Sequence, residues 1–305
     1  MPYWTDNIKG AHPYFVYWTA SFVFVLIFSI WLLVKYFRNQ ITNTDKQYPK
    51  IEFVKIGVAD SINGLLVVFA SLSIRTPPNL QAILSTFIIV WTVLCRFIIL
   101  KKVPLKSHLL GCVLIILGTV VVAIPIGTSQ KPGGATGFSA FIWPFIFTLG
   151  FLSAAVKITY SERTLKSGNK QKKVDLIYFL FFSSLFQLLT ATVLFWTDII
   201  PWFGLSDGSF SAFWKAMMVG FSDTVTNMTA LFSSILFILF YVIYYIAGND
   251  LLRYDKGATW LAVVTTFVTP LGILWWNFFN EVPFYFHMQF KWSNIYTFVG
   301  AGIML

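Results

Sequence analysis

The sequence predicts an all-α protein that crosses a membrane many times, on three observations. Nine strongly apolar stretches follow one another along the 305 residues. The chain is 57% hydrophobic and 11% charged, with a mean hydropathy of +0.73, which leaves too few charges to solvate a globule of this size. The 22 Lys and Arg alternate between rich and poor connections, which carry 1, 5, 1, 4, 1, 6, 1, 2 and 1 of them in turn from the N-terminal tail. That alternation is the positive-inside pattern, and it puts the basic loops in the cytosol.

The predicted spans are 14–37, 53–74, 79–100, 107–126, 138–160, 174–197, 229–252, 258–279 and 293–305. Stretches of about 20 apolar residues cross roughly 30 Å of hydrocarbon at about 1.5 Å per residue. The first is long enough to span and so reads as a helix, not a cleavable leader. Trp18, Tyr36, Trp143, Trp196 and Trp202 gather near span ends, as interfacial belts do. Between the second and third spans, Arg75-Thr76-Pro77-Pro78 breaks the helix, because consecutive prolines remove donors and fix φ. The long basic-poor connection 198–228 places Phe210, Phe213, Trp214, Met217, Met218 and Phe221 at helical spacing. It predicts a short helix lying in the lumenal interface. Asn227-Met228-Thr229 is a glycosylation sequon on that same side, which makes Asn227 a candidate acceptor.

An internal repeat organises these spans. Ala82-Ile83-Leu84-Ser85-Thr86-Phe87 recurs as Ala262-Val263-Val264-Thr265-Thr266-Phe267, an offset of 180, and a Val-Pro follows each copy's next span at Val103-Pro104 and Val282-Pro283. Span 3 therefore matches span 8, span 4 matches span 9, span 2 matches span 7 and span 1 matches span 6. The unit is five helices, and two tandem copies of an odd-numbered unit insert with opposite orientation, as in secondary transporters. The expected division is a first repeat at 1–126 and a second at 127–305, the latter containing the 198–228 loop. The first helix of the full pattern and part of the last are expected to be missing from the nine.

Polar residues inside spans are costly and so mark cavities or helix contacts. Span 2 holds Asp60, with Asn63 one turn on, in a row with Gly57 and Gly64, whose missing side chains admit a neighbouring backbone. Asp60 lies about 10 Å inside the cytosolic boundary and is the candidate coupling-ion site. Span 3 offers Asn79, Gln81, Ser85, Thr92 and Arg96; its repeat partner offers Thr265 and Thr269, with Pro270 set to kink the helix. Span 6 adds Ser183, Gln187 and Thr190. Asn63, Asn79, Gln81, Ser85, Gln187, Thr265, Thr269 and Pro270 form the candidate substrate-binding set. Arg96 and Lys157 lie near cytosolic ends, where snorkelling to water and contact with an anionic solute are the competing readings. Asp250 and Arg253 read as an interfacial pair.

Other chemistries find little footing. The net charge of +10 belongs to loops flanking helices and forms no groove-like patch, so no nucleic-acid partner is expected. Cys95 and Cys112 lie inside apolar runs, and His12, His108 and His287 are scattered, so neither a disulfide framework nor a metal site is expected. No phosphate loop, nucleophile elbow or catalytic carboxylate pair stands out. An enzyme, a catalytic residue and a bound cofactor are therefore not expected.

Several of these segments resemble the chloroquine-resistance-transporter-like family of the drug/metabolite transporter superfamily. They are Asp60, then Arg75-Thr76 with Asn79-Leu80-Gln81, then Phe186-Gln187-Leu188-Leu189-Thr190, Ala230-Leu231-Phe232-Ser233, Pro270, and Pro13-Tyr14-Phe15. The resemblance implies the drug/metabolite transporter fold, ten helices in two inverted five-helix repeats around a cavity. It also implies a vacuolar, plastid or other endomembrane location. The solutes it implies are peptides, glutathione-like thiols, amino acids or cationic drugs, moved by alternating access with a proton gradient as driving force. A nucleotide-sugar or sugar-phosphate carrier of the same superfamily is the near alternative, and a membrane scaffold with a dry interior is the distant one. The cysteines that staple the long lumenal loop in the parasite branch are absent here.

Overall fold

Several helix ends among the described residues have a local chemical reason, which shows why those apolar runs stop where they do. The computed structural model describes residues 12–72, 74–123, 137–166, 174–253 and 257–266, with positions 271, 275, 299 and 302. Helix α1 is Pro13–Phe37; proline at its first turn sacrifices only an N–H that had no partner, and Asn39 at φ 52° ends it. The five-residue α2, Asn43–Gln47, carries a full capping box between Thr42 and Asp45. Helix α3 is Lys50–Ala70, α4 is Pro78–Leu84, and α5 is Phe87–Leu100, closed by Lys101 in the left-handed region at φ 55°. Helix α6 is Lys106–Ala123 and α7 is Ser139–Lys166. Helix α8, Leu176–Val193, is capped by Asp175, whose Oδ1 accepts from the Ile177 and Tyr178 amides, and runs on as a 3-10 turn to Asp198. Helix α9 is Phe210–Thr226, α10 is Met228–Leu251, capped by Asn227, and α11 is Gly257–Thr266.

Six helices among the described residues are long and apolar enough to cross a membrane, with Lys106–Val121 a shorter apolar one. This is an all-α, multi-pass integral membrane protein. Leu26, Ile30 and Leu33 of α1, and Ile235, Leu239 and Ile243 of α10, stay exposed, as side chains facing lipid do. The predicted third span is present as Leu80–Leu100, with a local turn inside it. Ser85 and Thr86 turn their hydroxyls onto the carbonyls of Ala82 (2.6 Å) and Ile83 (2.7 Å) and form a turn with right-handed dihedrals between α4 and α5, while the apolar span continues. The predicted ninth span lies outside the described residues apart from 299 and 302, and the eighth is described to Thr266.

The chain forms two compact units, one of residues 1–69 and 160–255, the other of 70–159 and 256–305. In the first unit α1 packs along α8 and touches α9 and α10. Its core at one end gathers Tyr14, Phe15, Tyr17, Leu65, Phe69, Phe213 and Met217. In the second unit α5 packs on α6 and α11, and α4 packs on α6. Each unit therefore draws on both halves of the sequence, and spans matched by the repeat share a unit. Span 1 packs on span 6, as α1 on α8, and span 3 packs on span 8, as α5 on α11.

The helix in the 198–228 connection is present as α9, and its apolar face is divided into a buried edge and an exposed one. Phe213, Ala216, Met217 and Gly220 are buried, with Gly220 against the Phe15 ring. Phe210, Trp214, Met218, Phe221 and Val225 form a second stripe that stays exposed.

Candidate substrate and coupling-ion site

The two glycines of α3 determine what surrounds Asp60. A Cβ on Gly57 would come within 2.6 Å of Phe186 Cβ and 2.7 Å of the Gln187 nitrogen, so only glycine lets α3 approach α8 this closely. A Cβ on Gly64 would run into the Tyr17 ring. Tyr17 therefore lies across α3, where its hydroxyl donates to the Ser61 carbonyl (3.4 Å) and accepts from Gln187 Nε2 (3.4 Å). Tyr245 of α10 donates to Asp60 Oδ2 at 3.0 Å. Asp60 is 5% exposed. The Tyr245 ring is itself held by neighbours: Phe24, Phe28 and Tyr241 have centroids 6.0, 6.2 and 6.5 Å away.

Around this carboxylate several polar atoms are buried without a hydrogen-bond partner: Ser61 Oγ and Asn63 Oδ1 on α3, Ser184 Oγ and Gln187 Oε1 on α8. Buried polar atoms in folded proteins are nearly always bonded, and leaving one unmade costs about 1–3 kcal/mol. Four on two helices in contact mark a polar strip that water or a hydrogen-bonding solute can satisfy. Asp60 and Asn63 lie on α3 and Gln187 on α8, in the first unit, where the two helices meet at Gly57. Tyr17 and Tyr245 were not singled out in advance; the available signal was phenols set mid-span, away from the interfacial belts.

The remaining candidates behave differently. In the second unit Gln81 Nε2 donates to the carbonyls of Ser71 (2.6 Å) and Thr76 (2.7 Å), splinting the break that Pro77 and Pro78 impose. Ser85 and Thr265 each bond back to an alanine carbonyl three residues earlier, Ala82 (2.6 Å) and Ala262 (2.7 Å). The two positions equated by the repeat therefore share one local geometry. Arg96 donates to Thr259 Oγ1 on α11, and the Arg75 guanidinium sits 3.7 Å from the Trp143 ring centroid. Asn79 lies in the first turn of α4. The Asn79 side chain, Thr269 and Pro270 fall outside the described residues.

At the basic-rich end of the first unit, charges are tied down. Lys35 reaches Asp175 at 2.5 Å, and Asp45 Oδ1 accepts the Asp175 amide at 2.8 Å. Lys50 bonds the Tyr178 hydroxyl and lies 4.4 and 4.3 Å from the Tyr178 and Phe182 centroids. The expected pair of Asp250 and Arg253 is present at 3.8 Å, and Arg253 also donates to the Val174 carbonyl. Among the described residues no group of three His, Cys, Asp or Glu is placed to hold a metal ion.

Helices with lipid-facing aliphatic surfaces and a carboxylate held mid-span by phenols define an integral membrane protein with a polar interior, and comparisons narrow the class. The pattern of the CRT-like, chloroquine-resistance transporter-like, family matches residues 5–300. The chain belongs to that family. Crt homolog 2 of Dictyostelium discoideum is 30% identical over 62% of this chain and 37% of its own length. Crt homolog 3 of the same organism is 24% identical over 90% of this chain and 60% of its own. The CLT1 protein of Arabidopsis thaliana, named as chloroplastic, is 25% identical over 60% and 40% respectively. The chain thus spans between about a third and three-fifths of the length of these relatives.

Proposed function

We propose that the protein is a secondary-active carrier of small organic solutes, working by alternating access and driven by a proton gradient, with Asp60 as the coupling-ion site. The observation that carries this reading is a mid-span carboxylate, 5% exposed, bonded by Tyr245 and accompanied by four buried polar atoms lacking partners. An ionisable group inside hydrocarbon is a transport element by default, since it costs several kcal/mol to keep there. Asn63 and Gln187 present hydrogen-bonding groups to the solute beside it. Gln81, Ser85, Thr265 and, further along, Asn79, Thr269 and Pro270 contribute a second set; of these, Gln81, Ser85 and Thr265 spend their donors on backbone and offer acceptors.

Family membership supports the solute class: peptides, glutathione-like thiols, amino acids or cationic drugs. The shared packing of offset-related helices, and the matched geometry of Ser85 and Thr265, support a duplicated five-helix unit inserted in inverted orientation. Arg96 spends a guanidinium N–H on Thr259, which favours these solutes over a sugar-phosphate anion. The relatives' names include both amoebal Crt homologs and chloroplast proteins, and a vacuolar or plastid membrane is the proposed location. Asn227 caps α10 from an exposed position, where it remains the proposed glycan acceptor.

The test is uptake into proteoliposomes. With an imposed pH gradient the wild type accumulates a member of these solute classes, and Asp60→Asn removes the dependence on the gradient. Accumulation that follows the gradient equally in both would remove Asp60 from coupling.

A further inference from the structure

A second buried carboxylate sits at the opposite, basic-poor end of the first unit. Asp198 closes the 3-10 turn after α8 and is 0% exposed. Its Oδ2 accepts from His12 Nδ1 at 2.7 Å and from Ser206 Oγ at 2.6 Å, and Ser206 Oγ lies 3.3 Å from the same imidazole nitrogen. The backbone holds the turn in place: the Ser206 amide donates to the Asp198 carbonyl at 3.0 Å. Asp198 Oδ1 is buried with no hydrogen-bond partner.

A carboxylate removed from water with one oxygen bare is far from balanced by two neutral donors. A positive charge on the imidazole would balance it, and His12 retains 18% exposure through which a proton can arrive. His12, Tyr14, Phe15, Phe213, Ala216 and Met217 close around the carboxylate and leave no room for a solute. The ligand that fits is a proton.

The other groups facing this corner do not supply the charge. Tyr14 of α1 gives its hydroxyl to the Ala191 carbonyl. Helix α9 turns Phe213, Ala216 and Met217 inward, while its Lys215 is exposed and its Asp223 half-buried. In the turn itself Asp207 is exposed. Asp6 and Lys9 lie outside the described residues.

We infer that His12, Asp198 and Ser206 form a proton-binding site, separate from Asp60, that clamps the start of α1 to the turn after α8. Protonation at Nε2 converts a neutral Nδ1–H···O bond into an imidazolium–carboxylate pair; no bond between heavy atoms forms or breaks. The imidazolium gains from Asp198 what the neutral ring does not. The clamp therefore stabilises the fold while the imidazole is protonated, and the contribution is lost as pH rises and the ring gives up its proton. This stands on the first unit alone and not on the transport reading.

Two measurements test it on the full chain in nanodiscs. Thermal unfolding of the wild type should fall by a few degrees between about pH 5.5 and 8. His12→Gln should flatten that slope, and Ser206→Ala should lower the whole curve while keeping the slope. Imidazole nitrogen NMR of the wild type should show His12 carrying two ring protons at the acid end and one at the alkaline end, and Asp198→Asn should move the midpoint toward acid. An unaltered slope in His12→Gln, or a His12 ring neutral throughout, overturns the site. Neither result bears on Asp60, whose failure would show only in gradient-driven uptake.

Discussion

The two compact units of this protein spend their polar groups in different proportions. In the first, polar side chains reach across helices: Tyr14 to the Ala191 carbonyl, Trp18 to Thr192, Gln187 to Tyr17, Tyr245 to Asp60. In the second, Ser85, Thr86, Thr119 and Thr265 fold back onto carbonyls three or four residues earlier in their own helices. Both solutions satisfy hydroxyls in a medium without water. Hydroxyls fold back in the first unit too, as those of Ser21, Ser183 and Thr190 do, and Arg96 crosses from α5 to α11 in the second; what sets the first apart is its set of unsatisfied atoms around one carboxylate. Substitutions in the first unit should therefore cost both assembly and activity, and those in the second should cost little.

The largest effect expected is at Gly57. Gly57→Leu forces α3 away from Phe186 and should destabilise the protein by about 3 kcal/mol, read as a lowered unfolding temperature and lost yield. The matching change in the second unit, Gly111→Ala, meets nothing within 4 Å and should raise stability by up to ~1 kcal/mol through helix propensity. Equal losses at the two positions would erase the contrast.

Asp60→Asn comes next. It keeps an acceptor for Tyr245, so unfolding should be nearly unchanged while gradient-driven uptake falls about tenfold, the equivalent of ~1.4 kcal/mol. Tyr245→Phe removes one hydrogen bond worth about 1 kcal/mol and should lower uptake about fivefold. Tyr244→Phe, on an exposed neighbour, serves as its control. The smallest effect is expected in the second unit: Ser85→Val with Thr265→Val should lower uptake about twofold with unfolding unaltered, because each hydroxyl forfeits a single local bond. A drop larger than that of Asp60→Asn would move the site's centre to the second unit.

Local signals carried most of the architecture. Proline at the first turns of α1 and α4, the Thr42–Asp45 capping box and the Asp175 and Asn227 caps act within four residues, so apolar length and end chemistry located the helices. Gly57 and Gly64 were legible as points of close approach because glycine there has one steric use. The turn at Ser85–Thr86 was not, because a pair of hydroxyls marks one only when both turn onto carbonyls. Helix α9 was placed correctly, yet helical spacing cannot say which apolar residues are buried and which stay exposed. Long-range pairings were the least legible: His12 and Asp198 are 186 positions apart and Asp60 and Tyr245 are 185 apart, beyond any periodicity.

The bare backbone at Gly57 pressed on Phe186 has a consequence for the history of such chains. What it meets is the Phe186 Cβ and the backbone of Phe186 and Gln187, which a slimmer side chain at 186 does not remove. Sequences collected across the family should therefore keep glycine at the first site whatever the size of the residue 129 positions on, an asymmetry detectable with no protein in hand.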